Sequence, residues 1–157
     1  MKLKRFKPYF LWVLLVEAIG FLASLLTRKG SEEFNMYAEQ PPLTPPEPVF
    51  PIVWGILYAL MGISAAMIWL AENSRGKSRS VNLFVVQLVV NFFWPLIFFN
   101  LQAYGDALVW LILLWILVFL LILNDRNVDI RASWLLIPYL IWLTFAVYLN
   151  IGVYMLN

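Results

Sequence analysis

The chain has 157 residues, of which 63% are hydrophobic and 13% charged, with a mean hydropathy of +0.82. Soluble domains hold roughly 45–50% apolar and about 25% charged residues, so water cannot be the main solvent of this surface and a lipid bilayer is expected instead. Cysteine and histidine are both absent, which excludes disulfides, thiolate and imidazole metal sites, and Cys- or His-based catalysis; the net charge of +2, in short basic clusters beside apolar runs, excludes a nucleic-acid-binding surface.

Five apolar runs approach the ~20 residues needed to cross the hydrocarbon, and each is expected to be helical because lipid offers no partner for an unpaired backbone and no barrel alternation is present. The first, 9–27, follows Lys2, Lys4, Arg5 and Lys7. It is longer than the apolar core of a cleaved signal and has no small-x-small site before Arg28, so it reads as a retained helix. It carries Glu17 in mid-span, on one face with Gly20, Ser24 and Thr27, which must point into the bundle or a dimer seam. With no buried charge to pair it, Glu17 is expected to be protonated or to reach water.

The connection 28–48 is the longest. It holds Glu32, Glu33, Glu39 and Glu47 and the proline run Pro41, Pro42, Pro45, Pro46 and Pro48, which predicts a stiff extended segment. Pro41, Pro45 and Pro46 then belong either to a lid over a site or to a rigid strap on the outer face.

The second span, 49–71, places Trp54, Tyr58 and Met61 in one aromatic stripe beside a small-residue ridge of Gly55, Ala59, Gly62 and Ala66, which reads as a helix-packing face. Trp54 taken singly reads as an interfacial anchor. In the third span, 81–100, Gln87, Asn91, Trp94 and Phe98 share a face; Asn91 must point inward, to an interhelical hydrogen bond or to a ligand. The fourth span is 106–123. The fifth, 134–155, aligns Tyr139, Trp142, Ala146 and Asn150, aromatic, small and polar in turn, which suits a flat ligand, and Pro138 frees a carbonyl one turn earlier and predicts a bend.

Nine of the eleven basic residues fall on one side of this arrangement and only Arg28 and Lys29 on the other, which predicts a cytoplasmic N-terminus and an outside C-terminus. The absence of an internal repeat weighs against an inverted-repeat transporter.

The run from Trp134 through Pro138, Tyr139, Trp142, Phe145, Ala146 and Tyr148 to Asn150 resembles the LLxPYxxWxxFAxYLN signature of the TspO/MBR family, the tryptophan-rich sensory proteins that include the mitochondrial translocator protein. Pro41 with Pro45 and Pro46, then Val49, Phe50, Val53, Trp54, Leu57 and Tyr58, and the Asn91, Trp94, Phe98, Phe99 series are similar to the family in the same order. The resemblance implies an all-α, single-domain bundle of five transmembrane helices over 1–157, usually dimeric, in a bacterial cell membrane. It also implies a pocket for porphyrins or other flat apolar compounds formed by Trp54, Tyr58, Asn91, Trp142 and Ala146, with Trp94 and Tyr139 on the same faces. Receptor or sensor activity is the first expectation, without a required cofactor or metal; because His and Cys are absent, a metal-free porphyrin is the better guest. Light- and oxygen-dependent porphyrin breakdown through Trp54 and Trp142 is the alternative implied by the resemblance, and small-molecule translocation the last.

Overall fold

The computed structural model describes residues 2–157, and the described residues form helices and turns without a strand. In chain order these are α1 (Lys2–Leu26), α2 (Arg28–Tyr37), α3 (Val49–Leu70), α4 (Arg75–Pro95) with a π-helical turn at Leu96–Asn100, α5 (Tyr104–Asp125), α6 (Ile130–Leu135) and α7 (Ile137–Leu156). Five segments, Lys4–Leu26, Val49–Leu70, Arg75–Asn100, Tyr104–Asp125 and Ile130–Leu156, are long and apolar enough to cross a membrane. Phe10, Leu14, Leu25, Val109 and Ile141 are exposed on their outer faces, where acyl chains solvate them.

The helix ends differ from the sequence reading because polar residues extend helices beyond the apolar runs. α4 begins at Arg75, not 81, where the Ser74 hydroxyl accepts from the Lys77 backbone N–H at 3.1 Å. The last span begins at Ile130, not 134, where Asp129 accepts from the Arg131 N–H at 3.0 Å; the Arg131 side chain bonded to the same carboxylate holds Asp129 below the usual carboxylate range. Pro138, in the first turn of α7, coincides with the break at Leu136 that divides α6 from α7.

The connection after α1 is only half extended. Its first ten residues form α2, with Gly30 and Phe34, one turn apart, buried on its inner face. A Cβ on Gly30 would lie 2.5 Å from Asn100 Oδ1 and 2.8 Å from the Phe99 carbonyl, so α2 lies directly on the π-helical turn. The proline-rich remainder is tied to α7. Asn157 accepts from the Glu39 N–H at 3.1 Å and donates to the Glu39 carbonyl at 2.8 Å, Tyr148 donates to the Pro42 carbonyl at 2.8 Å, and Pro41 packs onto Gly152. Gly152→Val should drive a side chain into the Pro41 ring. Overpacking of this kind costs about 1–3 kcal/mol, so cleavage within 38–48 in limited proteolysis should quicken about tenfold while the transmembrane helix content stays constant.

α1 packs on α3, α4 on α5, and α5 on α7. The ridge on α3 is only partly a packing face. Gly62 meets α1, where a Cβ would lie 2.5 Å from Val13 Cα, and Ala66 is fully buried, but Gly55 has nothing within 4 Å of where its Cβ would be. The core runs through Val16, Met61, Leu111, Leu114, Val118 and Leu143. At the end of the bundle bearing most of the basic residues, buried Asp125 accepts from Ser80, and Asn124 donates to Ser80 Oγ at 2.6 Å and to the Gly76 carbonyl at 2.8 Å, joining α4 to α5.

Candidate functional site

The space beyond Gly55 is a cavity of about 690 Å³ at the end of the bundle under α2 and the proline segment. Residues from α1, α3, α4, α5 and α7 form its walls, and Gln40, Pro41, Thr44, Glu47 and Pro48 contribute its cover. Its volume lies within the ~300–1,000 Å³ common for small-molecule sites.

Two aromatic walls dominate. On one, Trp54 of α3 meets Trp142 of α7 edge to face, with centroids 6.5 Å apart at 89°, and Phe50 meets Trp142 at 5.9 Å. On the other, Trp94 stacks on Phe98 at 4.9 Å and 26°. Pro95 removes one backbone donor after Trp94, and the wider π-helical turn that follows carries Phe98 inward. Ala146 leaves room between the walls, and Leu111 and Leu114 of α5 also line the cavity.

The polar groups are fixed by one another. Tyr58 donates to Asn91 Oδ1 at 3.0 Å, Asn91 Nδ2 donates to the Tyr139 hydroxyl at 2.6 Å, and Tyr139 donates to Gln87 Oε1 at 2.9 Å. Tyr58 and Asn91 line the cavity, whereas Tyr139 and Gln87 are fully buried outside its lining. A second link runs from the Trp94 indole N–H to Asn150 Oδ1 at 3.2 Å and from Asn150 Nδ2 to the Tyr104 carbonyl at 2.9 Å. Asn91 therefore makes the interhelical bonds that mid-span burial demands, and it also borders the cavity.

Trp54, Tyr58, Asn91, Trp94, Trp142 and Ala146 all line this one space, with Pro41 from the cover. Tyr139 supports it from below through Asn91, and Pro45 and Pro46 lie outside the lining. Met61 of the aromatic stripe is fully buried in the core. Sequence reasoning did not single out Gly55, Leu111 or Leu114 for the cavity. Among the described residues no cluster of acidic side chains could hold a metal ion.

The model of the TspO/MBR family matches residues 12–156. The chain is 38% identical to the tryptophan-rich protein TspO of Chlorobaculum tepidum over 89% of each chain, and 40% identical to that of Archaeoglobus fulgidus over 92% of this chain and 94% of the relative. It is also 38% identical to the translocator protein of Bos taurus, over 83% of this chain and 79% of the relative. With five membrane-spanning helices and a family match over almost its entire length, the chain is a multi-pass integral membrane protein and belongs to the TspO/MBR family.

Proposed function

We propose that the chain is a membrane receptor or sensor that binds porphyrins or similar flat apolar ligands in the cavity between its helices. The observation that carries this reading is the convergence of Trp54 and Trp142 on one wall and Trp94 with Phe98 on another around about 690 Å³ of space. Indole faces stack on flat macrocycles, and the fixed amide of Asn91 offers a polar edge among apolar walls. Tyr58, Ala146 and the Pro41 cover complete the binding set. A bundle oriented by its basic residues would have its N-terminus in the cytoplasm and the cavity near the outer face.

Titration of the detergent-purified protein with protoporphyrin should quench tryptophan emission saturably, and Trp54→Phe or Trp142→Phe should weaken binding by about tenfold, since each removes stacking area worth roughly 1–1.5 kcal/mol. Unchanged affinity in both variants would overturn the reading. Illuminating the same complex in air distinguishes the catalytic alternative: a new absorbing product that needs both indoles would make the cavity a site of porphyrin breakdown. Translocation has less support, because fully buried Met61, Tyr139 and Leu143 fill the bundle next to the cavity.

A further inference from the structure

Glu17 is a polar group of the cavity wall that the folded chain does not use. It lines the cavity from α1, one turn from Gly20, where the absence of a Cβ lets the Tyr58 ring close against the helix. Its Oε1 is buried and receives no hydrogen bond. The Tyr58 hydroxyl is already committed to Asn91. Arg28, the first residue of α2, pairs instead with Glu32 at 3.6 Å. The other charged residues on the lining are Glu32 and Glu47, so the chamber as a whole is acidic.

A buried carboxyl oxygen without a donor is unfavourable, and a guest in the cavity is positioned to supply one. We infer that Glu17 anchors a protonated nitrogen, so that among flat aromatic compounds the cavity selects amines that are cationic at neutral pH. This inference rests on the cavity being a ligand site, as proposed above. The adjoining rings of Tyr58 and Trp54 act in the same sense, because aromatic faces also attract a desolvated cation.

Three probes test the assignment on the full detergent-purified chain near neutral pH: 9-aminoacridine, which is cationic; acridine, which is similar in shape and largely uncharged; and protoporphyrin as a reference for the cavity. The native protein should bind 9-aminoacridine about tenfold more tightly than acridine, and Glu17→Gln should erase that preference while acridine and protoporphyrin stay within about twofold. Glu17→Asp, which keeps the charge, should retain most of it. A preference that survives Glu17→Gln overturns the inference, as does an equal loss of all three probes in both variants, which would give Glu17 a purely structural role. If native protein binds acridine and protoporphyrin without preferring the cation, only the Glu17 assignment fails; if it binds none of the three, the cavity reading fails with it.

Discussion

Gly55→Leu is expected to abolish ligand binding in a protein that still folds, whereas Gly62→Leu, two turns further along the same helix, is expected to compromise the fold itself. The contrast follows from what each missing side chain faces. At Gly55 the nearest atoms are beyond 4 Å and the space is the cavity, so a leucine projects between the aromatic walls without displacing protein atoms. The helix gains from the change, since glycine in a helix interior is about 0.5–1 kcal/mol worse than alanine. Affinity for protoporphyrin should fall by at least about tenfold, as expected when a guest must give up part of its stacking surface. At Gly62 a Cβ would lie 2.5 Å from Val13 Cα and 2.8 Å from its backbone nitrogen, and a backbone cannot rotate aside as a side chain can. Separating α1 from α3 should cost about 1–3 kcal/mol or more, read as a lower unfolding temperature in detergent. Ligand binding retained in Gly55→Leu would show that guests sit elsewhere.

Tyr139→Phe should be the most destabilising of the hydroxyl deletions. The Tyr139 hydroxyl both accepts from Asn91 and donates to Gln87, in a fully buried setting. Its removal leaves Asn91 Nδ2 and Gln87 Oε1 unpaired, and Gln87 Nε2 already has no partner, so the whole Gln87 amide would be stranded in the core. Each orphaned group costs about 1–3 kcal/mol, so a loss of about 2–4 kcal/mol is expected in denaturant unfolding. Adding Gln87→Leu should recover part of it, because replacing both partners by apolar groups removes the desolvation penalty. Tyr58→Phe should cost less, since it frees only Asn91 Oδ1, which borders the cavity. Equal effects of Tyr58→Phe and Tyr139→Phe would mean that the buried hydroxyl is not the hub of this network.

Much of this arrangement was legible in the amino acids. Hydropathy gave the spans, because nothing but a helix satisfies its own backbone in lipid, and the inward turn of Asn91 followed from the cost of an amide in mid-span. The stripes of Trp54, Trp94 and Trp142 meet around one cavity because helical spacing fixes faces before packing is known. Spacing does not say how deep a residue sits on its face, so Tyr139, aligned with Trp142, read as wall and lies beneath it. The small-residue ridge misled in the same way: Gly55 and Gly62 lie on one side of α3, but only where α1 approaches does a missing side chain become a contact. The helix at Arg28–Tyr37 was hidden by the prolines that follow it, although Gly30 and Phe34, spaced one turn apart, already formed its buried face.

Pro41 touches the chamber on one side and Gly152 on the other, while its neighbour Pro42 is held by Tyr148. The roof and the final helix are thus a single latch. If the chamber takes a guest thick enough to push against that roof, the ring would have to leave its glycine groove, and an event among greasy side chains would become a change of shape at the aqueous boundary.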